Sequence, residues 1–378
     1  MTAVMPAGVA TARDLVGPAL AAAVERLSPD VRTVAAYHLG LALASPAPAA
    51  GAGAGGLPSP VPPPAPADGT AVGLPSPAMV NGQAGATGRP GGTGKALRPA
   101  LALLSARAAM AAPERGVPAA VAVELVHNFS LLHDDIMDGD TERRHRPTAW
   151  TVYGVGAAIL AGDAMLALAQ DILLEDTAPQ GLWAARCLSA AVQRLIAGQG
   201  ADLAFERRDD VTLAECLEMA GDKTAALMAC ACSIGAIHVG APPAVAMGLA
   251  GFGAHVGLAF QLTDDLLGIW GSPAVTGKPV RSDLRTRKKS LPVVAALTSG
   301  TPAAAELAAV LGREDALGED DLARAAGLVE EAGGRSWTEE KAATQLAAAH
   351  TCLADTPMPE DVRAEFAGIA EFITARQW

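Results

Sequence analysis

Apolar positions recur at helical spacing through most of the chain, and Pro and Gly fall where helix junctions would. No alternating strand pattern competes, so the expected fold is all-α. Residues 10–45 hold two amphipathic segments parted near Ser28-Pro29-Asp30. Ser28 is expected to cap the second helix and Pro29 to take its first position. Residues 224–263 contain no Lys, Arg, Asp or Glu and could cross a bilayer on length alone. Pro242-Pro243 divides that run and Asp264-Asp265 follows it, so buried helices of a soluble bundle are expected, with no transmembrane segment.

The periodicity stops in residues 46–94, which are mostly Ala, Gly, Pro, Ser and Thr. Such a stretch has too few core-forming side chains to pack and reads as a disordered linker insertion. It parts the N-terminal helices (1–45) from the main helical segment (95–378), and the two flanks are expected to form one domain. Gly-Leu-Pro-Ser-Pro occurs twice in it, at 56–60 and 73–77. A repeated apolar-plus-Pro element can dock a partner, although low-complexity drift gives the same pattern.

Composition narrows the picture. Hydrophobic residues make up 51% of the 378 and aromatics only 3%, with Ala and Leu abundant, which favours helix over sheet. A formal charge of −12 repels polyanions and argues against nucleic-acid binding. Five cysteines without a CxxC pair suit reduced thiols, and residues 1–26 lack a basic-then-apolar leader, so a cytoplasmic protein is expected.

The candidate chemistry sits at the ends of apolar runs. After 121–132 come Asp134, Asp135 and Asp138, with Arg143 and Arg144 close behind. Asp134 and Asp138 lie one turn apart on a helix, where like charges repel and the C-terminal dipole opposes both. Closely spaced oxygen donors suit Mg²⁺, which keeps waters and bridges to phosphates, and nearby arginines suit diphosphate oxygens. His127 falls on the same stripe two turns earlier. A second acidic pair, Asp264-Asp265, follows another apolar run, with Gln261 three and four positions before it. Lys95 and Arg98, Lys223-Thr224, Lys278, and Lys288-Lys289 are the basic complement.

These residues resemble the polyprenyl synthetase family, the trans-isoprenyl diphosphate synthases, and among them the actinobacterial geranylgeranyl diphosphate synthases. The resemblance rests on Gly94-Lys95-x-Leu97-Arg98-Pro99, Asp134-Asp135-x-x-Asp138 with Arg143-Arg144, Gly198-Gln199-x-x-Asp202, Lys223-Thr224, Gln261-x-x-Asp264-Asp265, Gly277-Lys278 and Lys288-Lys289-Ser290-Leu291-Pro292. It implies an isoprenoid synthase-type helical bundle with a central apolar cavity. It implies that Lys95, Arg98, His127 and Arg144 hold isopentenyl diphosphate. Arg143, Lys223, Thr224, Gln261, Lys278 and Lys288 would serve the allylic diphosphate. Asp134, Asp138 and Asp264 would bind several Mg²⁺ ions, supported by Asp135 and Asp265. A homodimer is the implied assembly.

Two positions depart from the family pattern: Gly268 stands where the second acidic motif usually ends in Asp, and Ala96 where many members carry Arg. Retained activity is the expectation, because Asp264 would be the principal ligand. Phe129 and Ser130, five and four positions before Asp134, would set chain length, and one aromatic there favours a C20 product over C15.

The alternatives are a class I terpene cyclase and a catalytically weak partner subunit. A cyclase would carry an Asn/Asp-x-x-Ser-x-x-x-Glu motif, absent after residue 200, and would have no use for Lys95, Arg98 and His127. A further expectation, from proteins of this kind carried as cargo in nanocompartments, is docking of 46–94 to a protein shell.

Overall fold

The computed structural model describes residues 7–41, 96–144, 146–272 and 280–374. The segment 46–94 with both pentapeptides, and also Lys95 and Lys278, lie outside the described residues.

Helices α1 (Ala7–Val24) and α2 (Pro29–Leu39) form where the amphipathic segments predict them, with Pro29 in the first turn. Ser28 makes no side-chain cap. Its carbonyl instead accepts the Arg32 N–H at 2.8 Å, so the backbone starts the helix. Next come α3 (Leu97–Ala108) and α4 (Val117–Met137), then a minimal antiparallel pairing of Glu142–Arg143 with Arg146–Pro147. That pairing was not anticipated, and it turns the chain back towards the short α5 (Ala149–Tyr153).

Four elements build the centre of the fold: α6 (Val155–Leu174), α7 (Pro179–Phe205), α9 (Ala226–His238) and α10 (Pro243–Trp270). Between α7 and α9 lie α8 (Leu213–Ala220) and one π-helical turn, Gly221–Ala225. A capping box starts α8, Thr212 Oγ1 accepting the Glu215 N–H while Glu215 accepts the Thr212 N–H. Helices α11 (Ser282–Arg285), α12 (Leu291–Leu297), α13 (Pro302–Leu311), α14 (Glu319–Glu331), α15 (Gly334–Asp355) and α16 (Glu360–Thr374) follow.

The charge-free stretch is explained by packing. Any Cβ on Gly253 would lie 2.7 Å from the Met228 carbonyl oxygen, and one on Gly257 2.6 Å from the Ala225 Cα. Only glycine at i and i+4 lets α10 approach the π turn and α9 this closely. Both α6 and α10 are long and apolar enough to cross a membrane by length and composition, yet each buries one side in the core through Met165 and Phe252. Phe252 meets Phe366 of α16 edge to face at 5.3 Å, a geometry contributing about 0.5–1.5 kcal/mol beyond area burial. All five cysteines are free thiols.

Candidate active site

Helix α4 ends with Asp134 in its last turn and Asp138 at its C-cap, as the apolar run predicts. Helix α10 does not end at its acidic pair: it continues to Trp270, so Asp264 and Asp265 occupy its last two turns. Asp264 is exposed while Asp265 is buried.

A cavity of about 580 Å³ opens between these helices. Arg98, His127, Arg144, Asp134, Lys223 and Asp264 all line it, together with Ser130, Thr224 and Arg143. Its apolar lining includes Leu131, Leu195, Leu227 and Phe260. Asp138 and Lys288 line a smaller cavity of about 250 Å³, and Lys223 lines both.

Within the larger cavity the Arg98 guanidinium lies 3.2 Å from His127 Nε2. Arginine has no acceptor, so Nε2 is the acceptor and the imidazole is neutral. Burial, followed by the charges of Arg98 and Arg144, holds His127 well below its usual range, in agreement with that assignment. Arg144 adopts φ 54, a left-handed backbone that side chains rarely take, and although exposed it lines the cavity with Arg143. Glu124 is buried in the same wall, where burial pushes its carboxyl up and Asn128 donates to it at 3.1 Å.

Around the acidic ends, Arg143 Nε donates to Asp135 Oδ1 at 2.6 Å, while Asp135 Oδ2 is buried without a hydrogen-bond partner. Burial, then the neighbouring charge of Asp138, pushes Asp134 up to about 6 despite Lys223. The Lys223 ammonium sits 2.5 Å from Asp202 Oδ2. Thr224 donates to Gln261 at 2.6 Å, Gln261 donates to Asp265 at 2.8 Å, and Asp265 accepts the Leu291 N–H at 2.9 Å. This relay ties the π turn, α10 and α12 together. Gln261 and Asp265 therefore brace the site from behind the cavity wall. Burial opposes the Lys288 charge, but Asp265, Asp283, Asp202 and Asp264 outweigh it and hold the ammonium above its usual range.

Phe129 is buried against His133, edge to face at 4.9 Å, and Ser130 is the member of that pair facing the cavity. Three polar cavity residues received no role from the pattern. Gln199, in the Gly-Gln-x-x-Asp element, is buried with neither amide atom hydrogen-bonded. Asp202, one turn later, pairs with Lys223, and Glu124 is a lone acid inside an apolar run, a signal in itself.

The donor set fits a hard divalent cation: the cavity-lining candidates are carboxylates, and Asp135 has a buried oxygen without a partner. Among the described residues no three acidic, His or Cys side chains gather closely enough to hold a metal alone. That suits Mg²⁺ bound by one or two carboxylates plus phosphate oxygens, and does not suit an all-protein cage.

A family model described as Polyprenyl synthetase matches residues 90–329. The (2E,6E)-farnesyl diphosphate synthase of Mycobacterium tuberculosis is 43% identical over 371 residues, 97% of this chain and 92% of that protein. The geranylgeranyl diphosphate synthase of the same organism is 46% identical over 274 residues, 72% of this chain and 78% of that protein. Among solved structures, a polyprenyl synthetase from Streptomyces coelicolor superposes with a TM-score of 0.80 at 47% identity, covering 97% of this chain and 98% of the other.

Proposed function

The chain belongs to the polyprenyl synthetase family and is a trans-polyprenyl diphosphate synthase, and from that premise we propose that it condenses isopentenyl diphosphate with an allylic diphosphate of C5 to C15, ending at geranylgeranyl diphosphate. The observation that carries this reading is one cavity lined at once by the cations Arg98 and Arg144 with neutral His127, by the acid–base group Asp134, Asp264 and Lys223, and by an apolar wall. Two anionic substrates need two such polar regions, and a nascent cation needs the dry one between.

Asp134, Asp138 and Asp264 would hold Mg²⁺, which when bound supplies positive charge to the departing diphosphate. Arg143, Lys223, Lys278 and Lys288 would grip the same diphosphate oxygens. The allylic C–O bond breaks and diphosphate leaves with the electron pair. Leu195, Leu227 and Phe260 keep water from the allylic cation. Arg98, Arg144 and neutral His127, with Lys95, orient isopentenyl diphosphate so that its terminal alkene carbon bonds to the cation. A proton is then lost to the released diphosphate, and the new alkene forms.

The C20 product is supported by the small Ser130 at the cavity wall while Phe129 packs away against His133. Apolar side chains exposed on α6 and α7, among them Leu160, Trp183 and Ile196, support a homodimer. Labelled isopentenyl diphosphate with Mg²⁺ and each of the C5, C10 and C15 allylic diphosphates tests the reading. A C20 end product from all three is expected. Arrest at C15 would overturn the product assignment, and no condensation at all would overturn the site assignment.

A further inference from the structure

Cys187 of α7 and Cys230 of α9 face each other with their sulfurs 3.8 Å apart, and both are free thiols. Neither lines the large cavity, and the condensation gives them no part. The other cysteines stand apart from the pair. Cys232 is two residues from Cys230 on the same helix and so points to another side. Cys216 meets the Lys289 carbonyl oxygen at 3.6 Å, and Cys352 belongs to α15.

The pair is asymmetric in a way that suits stepwise oxidation. Cys187 is half-buried, whereas Cys230 is only 3% exposed. The hydrogen bond from Cys230 holds Cys187 below the usual thiol range, against burial and with help from Ser233. That same bond, and then burial, pushes Cys230 well up. Cys187 is therefore the thiolate that an oxidant meets first, and Cys230 is the thiol behind it.

The two sulfurs also bridge a seam on which the cavity depends. Cys187 precedes Gly198 on α7 and Cys230 follows Lys223, while a Cβ on Gly198 would collide with the Lys223 backbone, so the two segments run antiparallel in close contact. Leu195 and Gln199 of α7 and Leu227 of α9 line the larger cavity from this seam. A disulfide holds its sulfurs about 2.05 Å apart. Closing that bond pulls on both helices at one end of the seam while the tight contact at Gly198 holds the other, so the strain falls on the wall between them.

We propose that Cys187 and Cys230 form a reversible disulfide when the protein meets a hydroperoxide, and that this bond slows prenyl transfer by shifting the α7–α9 wall of the cavity. The effect on turnover rests on the reading of that cavity as the prenyl-transfer site. The Cys187 sulfur attacks one peroxide oxygen and the O–O bond breaks; the sulfur is oxidised to a sulfenic acid, and the reduced peroxide leaves as alcohol or water with the Cys187 proton. The Cys230 sulfur then displaces the hydroxyl, which leaves as water with the Cys230 proton, and the S–S bond forms. A reducing thiol reverses the bond by exchange.

The test treats the full-length protein with hydrogen peroxide, alkylates the remaining thiols and maps linked peptides by mass spectrometry, beside turnover of labelled isopentenyl diphosphate. A Cys187–Cys230 link within one chain is expected, with turnover lowered by about ten-fold or more and restored by dithiothreitol. Cys187→Ser and Cys230→Ala, each checked for folding by circular dichroism, are expected to keep turnover within about two-fold of their untreated forms after peroxide. Cys352→Ser leaves the pair intact and is expected to respond as the parent does. The proposal is overturned if the linked peptide does not form, if the linked enzyme keeps parental turnover, or if peroxide inactivates Cys187→Ser as it does the parent. The linked peptide is read without turnover, so failure of the prenyl-transfer reading is distinguishable from failure of this one.

Discussion

Lys223 Nζ lies 2.5 Å from Asp202 Oδ2, and that pair closes the seam between α7 and the π turn. The seam can close only because Gly198 has no side chain: a Cβ there would collide with the Lys223 backbone nitrogen and lie 2.7 Å from its Cα. Neither obstacle is the end of a flexible chain, so the helix and the turn would have to part. Gly198→Ala is therefore expected to lower the unfolding free energy by about 1–3 kcal/mol and to reduce kcat/KM, measured by urea denaturation and steady-state assay. Parental values for both would show that the seam has slack.

Asp134 stands at the cavity wall, and burial opposes its charge, so the fold gains little from keeping it ionised. Asp134→Ala is expected to leave the far-ultraviolet circular dichroism spectrum intact while turnover falls by at least about 100-fold. Incorporation of labelled isopentenyl diphosphate checks this, and a variant retaining most of its turnover would remove Asp134 from the chemistry.

Burial pushes both Asp134 and Asp265 up to about 6 from an ordinary 3.8. Between those limits the folded state binds protons that the unfolded chain has released. Each group therefore favours folding at low pH and loses that contribution as pH rises through its folded pKa. In metal-free protein the stability difference between the parent and Asp134→Asn should fall from about pH 4 to about pH 6 and then level off. Urea midpoints across that range measure it, and a difference independent of pH would contradict the burial argument.

Ser130 faces the cavity and its hydroxyl donates to the His127 carbonyl at 2.9 Å. A phenyl group in its place would project into the space needed by the growing chain. Ser130→Phe is expected to shorten the end product from C20 to C15, read by chromatography of the dephosphorylated products. An unchanged product would place the floor of the pocket elsewhere.

Leu41 and Ala96, the described residues on either side of the insertion, both pack on the main hydrophobic core. Removal of residues 50–90 is accordingly expected to leave kcat and KM within about two-fold of the parent and the unfolding midpoint within experimental scatter. A folded but inactive deletion would make the insertion part of the catalytic unit.

Much of this architecture was legible because the pattern that specifies a helix is periodic and local. The apolar run before Asp134, the proline at the start of α2 and the ordered basic residues all spoke through spacing alone. Contacts between distant segments left no such trace. Nothing near Ser28 indicates that the backbone, without its hydroxyl, starts α2, and nothing near Asp265 shows that it is tied to Leu291 behind the cavity. The orientation of Phe129 depends on its ring contact with His133, one turn away. Gly268 is the clearest case, since the glycine was visible as a gap in the motif, whereas the Asp283 carboxylate that packs against it comes from another helix.

The π turn at Gly221–Ala225 has a consequence for helical phase. Consecutive residues on an α-helix diverge by about 100°, yet Lys223 and Thr224 both line the cavity. The widened turn is equivalent to one residue inserted into a continuous helix. Everything after it is rotated relative to everything before, so α8 and α9 face the bundle in different registers. Deleting one residue from this turn would rephase α9 and swing the Gly253–Met228 contact out of alignment. The turn therefore acts as a clutch, setting which side of the following helix engages the site.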